Sequence, residues 1–154
     1  MRSVLIVCKA NQCRSPVAEA IFRNYVKEFD AESTWMIRSA GTWATTGRSA
    51  VRKMIMVAKE RQLDLSQHRS SRIDDILPLS IFKLILTMEV GQKEALRSEF
   101  PEIADRVYTL SEMTGFEYDI EDPMSKSLDE HRDALLEIEQ LIADGFGRII
   151  ELAS

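Results

Sequence analysis

An α/β domain built on a parallel sheet is the fold class this sequence predicts, and three features predict it. Short apolar runs rich in β-branched residues recur along the chain. Amphipathic helical stretches separate them. No repeat, low-complexity tract or linker interrupts the alternation. The 154 residues, 45% apolar and 29% charged, suit one domain with a single soluble core.

Each element can be read in turn. Ser3 to Val7 is a short buried strand. After a loop, Ser15-Pro16 is expected to open a helix, because Ser is a favoured N-cap and Pro suits the first helical position. Val17, Ile21, Tyr25 and Phe29 recur every fourth residue, and Phe22 and Val26 widen that stripe. Thr34 to Arg38 reads as a second strand, ending at Ser39-Ala40-Gly41-Thr42. Ala50 to Arg61 is a second helix, with Val51, Met54, Ile55 and Ala58 on its apolar face. Lys83 to Thr87 is a third strand, Glu89 to Phe100 a helix stopped by Pro101, and Arg106 to Leu110 a fourth strand. Leu128 to Ile142 closes the reading as a helix with Leu135, Ile138, Leu141 and Ile142 inward. Gly145 and Gly147 leave its continuation open.

Charge and composition exclude several function classes. A net charge of −5 argues against general nucleic-acid binding, which shows as a basic footprint. No apolar run approaches the length that crosses a bilayer, so membrane insertion is not expected. Val4 to Val7 is too short for a signal-peptide core, which makes the cytoplasm the expected location. The two cysteines, Cys8 and Cys13, lie in one short segment, so a disulfide-built fold is excluded. The two histidines, His68 and His131, lack metal-ligand spacing, and neither a metal nor a cofactor is expected. His131 reads as a solvated helix residue.

The chemistry concentrates between the first strand and the first helix, in Val7-Cys8-Lys9-Ala10-Asn11-Gln12-Cys13-Arg14-Ser15-Pro16. In parallel sheets ligands bind outside the carboxyl ends of the strands. Backbone N–H groups at a strand-to-helix turn can converge on one anion, and the helix dipole adds positive potential. Cys8, at the loop start, would have its thiolate stabilised by those donors. The planar fork of Arg14 can hold two phosphate oxygens, and Ser15 can donate a hydrogen bond towards the sulfur. The same residue pattern also describes a buried core cysteine beside a surface arginine. The strand-to-helix context favours the phosphate loop.

The run Val-Cys-x-x-Asn-x-Cys-Arg-Ser-Pro resembles the active-site loop of the low-molecular-weight protein tyrosine phosphatases of bacterial type. Further resemblances follow in order along the chain: Ala18-Glu19-Ala20-Ile21-Phe22, Ser39-Ala40-Gly41-Thr42, His68-Arg69, Leu86-Thr87-Met88-Glu89 and Asp122-Pro123. The resemblance implies one domain over residues 1–154. Its four-stranded parallel sheet would carry helices on both faces, with the phosphate-binding loop between the first strand and the first helix. It implies Cys8 as nucleophile, Arg14 as phosphate and transition-state ligand, and Asp122 as general acid. Read alone, Asp122-Pro123 is an ordinary turn dipeptide in an acidic stretch. The loop residues Lys9, Ala10, Asn11, Gln12, Cys13 and Ser15 would surround the phosphate. Asn11 would take a left-handed conformation and be pinned with Ser15, Ser39 and His68. Trp43 and Met124 would line the entrance. The partner implied is a phosphorylated protein, with a tyrosine kinase acting opposite.

Some positions depart from the family pattern. Ala10 stands where Gly is usual, and would strain the loop if its φ were positive. Gln12 replaces the apolar residue of tyrosine-specific members and the Thr of arginine phosphatases. Met124-Ser125 stand where substrate-stacking tyrosines are frequent. These leave phosphotyrosine as the leading substrate and a protein-arginine phosphatase as the alternative. Arsenate reduction would need downstream cysteines, which the chain lacks. A phosphate-binding module without turnover would leave Cys8, Arg14, Ser15 and Asp122 together unexplained. Cys13 is either a small buried side chain or a redox partner that forms a disulfide with Cys8 under oxidation.

Overall fold

The computed structural model describes residues 1–154. The chain runs β1 (Arg2–Cys8), α1 (Arg14–Phe29), β2 (Trp35–Gly41), α2 (Arg52–Glu60), β3 (Leu84–Thr87), α3 (Val90–Glu99), β4 (Val107–Thr109) and α4 (Leu128–Ala153). Short 3₁₀ turns at Ile73–Ile76, Leu79–Ile81, Pro101–Arg106 and Leu110–Thr114 join the later elements. The four strands are parallel, in the order β2-β1-β3-β4. The expected single-domain α/β sheet, with helices on both faces, is therefore the observed one.

Alternation along β1 divides the core, because successive side chains point to opposite faces. Val4, Ile6 and Cys8 join the larger core, under α1, α2 and α4. Leu5 and Val7 join the smaller one, under α3 and the 3₁₀ turns, with Phe82, Leu96 and Ile103. Strand order reverses at β1, since β2 lies on one side and β3 on the other. The loop after β1 opens at that reversal, where open parallel sheets bind ligands.

Three expectations need correction. Helix α1 begins at Arg14, with Cys13 as an N-cap that makes no side-chain capping bond. The Ser15 hydroxyl is committed to the loop interior instead. Helix α4, expected as far as Ile142 and left open beyond the glycines, runs unbroken to Ala153. Gly145 is a packing residue: a Cβ there would meet the Met113 Cβ at 2.6 Å. His131 is not solvated but buried, with its Nδ1 2.8 Å from the Ser127 carbonyl. It shares a helix face with the buried Ala134, Leu135 and Ile138, three, four and seven residues on.

Candidate active site

Residues 8–15 form a cup whose carbonyls are bonded by the surrounding segments and whose amides are left free. The carbonyl of Cys8 accepts from Thr42 N–H at 3.0 Å, that of Lys9 from Trp43 at 2.8 Å, and that of Gln12 from Val51 at 2.8 Å. The Asn11 carbonyl lies 2.7 Å from His68 Nε2. The N–H groups of Lys9 to Cys13 have no backbone acceptor. Convergent free amides at a helix N-terminus make an anion site without any cationic side chain.

Side chains hold this cup in shape. Asn11 is buried with φ 55°, a left-handed conformation that Asn tolerates. Its amide nitrogen donates to the Ser15 hydroxyl at 2.7 Å and to the Ser39 hydroxyl at 3.0 Å. Its amide oxygen accepts from Ser71 N–H at 2.9 Å. Ser39 in turn donates to Glu19 at 2.6 Å. Of the expected network, Asn11, Ser15, Ser39 and His68 are all in contact through Asn11. Glu19 extends it, and the sequence signal for Glu19 lay only in the Ala18-to-Phe22 segment. Ala10 lacks positive φ, so the missing glycine strains nothing. The glycine that matters is Gly41. A Cβ there would meet the Lys9 carbonyl oxygen at 2.5 Å and Ala10 backbone carbon at 2.9 Å. Its bareness lets the end of β2 support the cup.

Cys8 Sγ lies 2.9 Å from Ser15 Oγ at the buried floor. Arg14 is buried too, which is unusual for arginine and requires partners. Nη1 donates to the Ile120 carbonyl at 2.6 Å, and Nη2 lies 2.7 Å from Glu89 and 3.5 Å from Asp122. Nε is the one buried side-chain nitrogen or oxygen without a hydrogen-bond partner. An orphaned N–H on a buried cation costs free energy, so Nε is a donor awaiting an acceptor. Nη2 carries two N–H groups and can serve Glu89 while sharing an oxyanion with Nε. Glu89 was not anticipated as a site residue. Its signal was its place just past β3, at the same sheet end as the cup.

Asp122 is about one-third exposed and accepts from Met124 N–H at 3.1 Å. Its segment is tethered from behind. Ile120 N–H donates to the Met88 carbonyl at 2.9 Å, and Asp119 accepts from Val90 N–H at 2.7 Å. Lys93, nearly buried, holds Glu112 at 2.7 Å and Glu117 at 2.5 Å. Burial works against the Lys93 charge, yet its bonds to those carboxylates hold its pKa above the usual lysine value. Burial likewise opposes the Glu112 charge, but Lys93 and Thr109 hold its pKa below the usual glutamate value.

Of the remaining expected site residues, Lys9 is exposed and Gln12 donates through Nε2 to the Ser49 carbonyl at 3.0 Å. Met124 is half-buried beside Asp122. Cys13 is buried and, like Cys8, a free thiol. Burial first, then the charges of Cys8 and Asp122, push the Cys13 thiol well up. Cys13 is thus kept protonated. Trp43 touches the loop through its backbone, its N–H donating to the Lys9 carbonyl. Its side chain is 82% exposed and lines a cavity with Arg72, Ile73, Asp74, Leu96 and Glu99. No three His, Cys, Asp or Glu side chains are placed to hold a metal ion. No helix is long and apolar enough to cross a membrane.

Comparison with known proteins agrees with this geometry. The family model for low molecular weight phosphotyrosine protein phosphatase matches residues 3–149. The low molecular weight protein-tyrosine-phosphatase Wzb of Escherichia coli K12 is 37% identical over 125 residues, covering 81% of this chain and 80% of its own length. A protein-arginine-phosphatase of Bacillus subtilis is 32% identical over 140 residues, covering 90% and 91%. The crystal structure of a low molecular weight protein tyrosine phosphatase from T. tengcongensis superposes with a TM-score of 0.82 at 35% identity, covering 96% and 99%. Matched by the family model over residues 3–149, this chain belongs to the low molecular weight phosphotyrosine protein phosphatases, a family of cysteine-dependent phosphatases that act on phosphorylated proteins.

Proposed function

We propose that Cys8, Arg14 and Asp122 carry out phosphate-monoester hydrolysis on protein side chains, with phosphotyrosine as the substrate. The observation that carries the reading is the buried Arg14 Nε left without an acceptor next in sequence to a loop of free amides. In the first step the Cys8 thiolate attacks phosphorus. The bond to the leaving oxygen breaks as Asp122 delivers a proton to it, and a phosphocysteine forms. In the second, Asp122 takes a proton from water, whose oxygen attacks phosphorus. The Cys8 thiolate leaves, stabilised by the Ser15 hydroxyl 2.9 Å away. Arg14 and the amides hold the equatorial oxygens throughout, so charge builds where donors already stand.

A protein-arginine phosphatase is the second reading, favoured by the relative of that name, which covers nine-tenths of this chain. Residues 8–15 would serve either substrate, because a phosphoryl group is bound the same way. The expected setting is the cytoplasm, with a tyrosine kinase supplying the substrate.

The test is turnover of p-nitrophenyl phosphate, a phosphotyrosine peptide and a phosphoarginine peptide by wild type and Cys8→Ser. Wild type is expected to prefer phosphotyrosine over phosphoarginine, and Cys8→Ser to be inert on all three. Rates unchanged in Cys8→Ser would end the covalent mechanism. A preference for phosphoarginine would establish the second reading.

A further inference from the structure

The chain is acidic overall, yet one stretch beside the cup is not. No Asp or Glu occurs between Glu32 and Glu60, while Arg38, Arg48, Arg52, Lys53 and Lys59 all fall there. Three of these cations, Arg48, Arg52 and Lys53, flank a segment that is bonded to the cup. Gln12 donates to the Ser49 carbonyl at 3.0 Å and accepts from Val51 N–H at 2.8 Å, which fixes residues 49–51 against the loop. Ser70 N–H donates to the Arg48 carbonyl at 2.7 Å, and Arg69 Nη1 to the Ser49 hydroxyl at 3.4 Å, which adds a fourth cation. Lys53 Nζ donates to the Lys126 carbonyl at 2.6 Å, spanning towards the segment that carries Asp122. Lys9 is a fifth, in the cup itself.

All five side chains are exposed. None has a carboxylate within ion-pair distance, although thirteen ion pairs form elsewhere in the chain. The other cations near the site, Arg14 and Lys126, are paired. A run of unpaired cations in a chain of net charge −5 concentrates positive potential on one side of the phosphate entrance.

We propose that this basic crescent, Lys9, Arg48, Arg52, Lys53 and Arg69, receives acidic residues flanking the phosphorylated side chain of the substrate protein. The inference rests on the phosphatase reading above and names the sequence class that the same site prefers. A single exposed charge pair contributes little, but several acting together on an approaching acidic segment raise its association rate. The crescent therefore acts on kcat/KM for peptides and not on the chemical step.

The test compares three peptides of equal length with acidic, neutral or basic flanks, each carrying the phosphoresidue that the wild type turns over. Arg48→Gln/Arg52→Gln/Arg69→Gln is run beside wild type, and p-nitrophenyl phosphate is the control without flanks. Wild type is expected to favour acidic over basic flanks by about tenfold in kcat/KM at low salt, and the margin should shrink as salt rises. The triple variant should lose the preference while keeping wild-type turnover of p-nitrophenyl phosphate. Equal wild-type rates on the three peptides, with p-nitrophenyl phosphate still hydrolysed, overturn the inference. So does a triple variant that keeps the preference. Absence of all wild-type turnover overturns the phosphatase reading itself, and this inference with it.

Discussion

The phosphate cup and the segment that carries Asp122 meet at Arg14, but they are held in opposite ways. The cup is fixed from within. Asn11 alone spends both ends of its amide on Ser15, Ser39 and Ser71, and its carbonyl meets His68. The Asp122 segment is fixed from behind, through Ile120, Asp119 and the Lys93 cluster, while Asp122 itself stays about one-third exposed. On the proposed mechanism the contrast separates two tasks. A group that recognises a charge developing at a fixed point gains from rigidity. A group that must first give a proton to a leaving oxygen and then take one from water needs access to both.

This contrast can be tested by substitutions on each side. Asp122→Asn removes only the proton transfer. Its loss should reach about 10²–10⁴-fold with poor leaving groups and nearly vanish with p-nitrophenol, as a leaving-group series of kcat would record. Gly41→Ala acts on the cup, by driving a Cβ into the backbone of Lys9 and Ala10. It should cost on the order of 10²-fold on every substrate, independent of the leaving group. If the two variants share one leaving-group dependence, the division of tasks is wrong.

Acid should loosen the rear tether. The Glu112 carboxyl, held below its usual value of 4.5, contributes stability that is full above that value and lost as pH falls through its lowered pKa. Lys93, held above 10.5, contributes below that value and loses its contribution only as pH rises through its raised pKa. Between those limits the cluster is intact. Melting temperature followed down from pH 7 should fall more shallowly below pH 4.5 in Glu112→Gln than in wild type. Parallel curves would remove the cluster as a source of acid lability. The smallest effect is expected at Cys13. Cys13→Ser should keep wild-type turnover but recover less fully with thiols after peroxide treatment, if Cys13 protects Cys8 by a disulfide. Equal recovery would leave Cys13 as a small buried side chain only.

What the sequence made legible follows from how local each feature is. The cup is eight consecutive residues between a strand and a helix, so residue types and spacing were enough to place Cys8 against Ser15 and Arg14 beside the mouth. The strands were found because apolar β-branched runs are local too. Glu89, the Ile120 carbonyl and Gly41 were not identified as parts of the site. Each acts across the fold: Glu89 and Ile120 reach Arg14 from beyond β3, and Gly41 acts by lacking an atom. The error at His131 was different in kind, since its helical spacing to Ala134, Leu135 and Ile138 already placed it on the buried face. Ser15 misled because the hydroxyl that suits an N-cap is the one that faces the sulfur. Trp43 follows the supporting segment in sequence and stays bonded to the Lys9 carbonyl, while Arg72, Leu96 and Glu99, which wall the cavity under its side chain, come from distant parts of the chain.

The central claim is that the Cys8 sulfur faces a bound oxyanion held by free amides and the orphaned Arg14 Nε. A crystal structure of the wild type with orthovanadate tests it most directly. The account predicts vanadium bonded to Cys8 Sγ, with vanadate oxygens on the N–H groups of the loop and on Arg14 Nε. A cup without vanadate at saturating concentration, or a Cys8 thiol rotated into the core beneath α1, would contradict it.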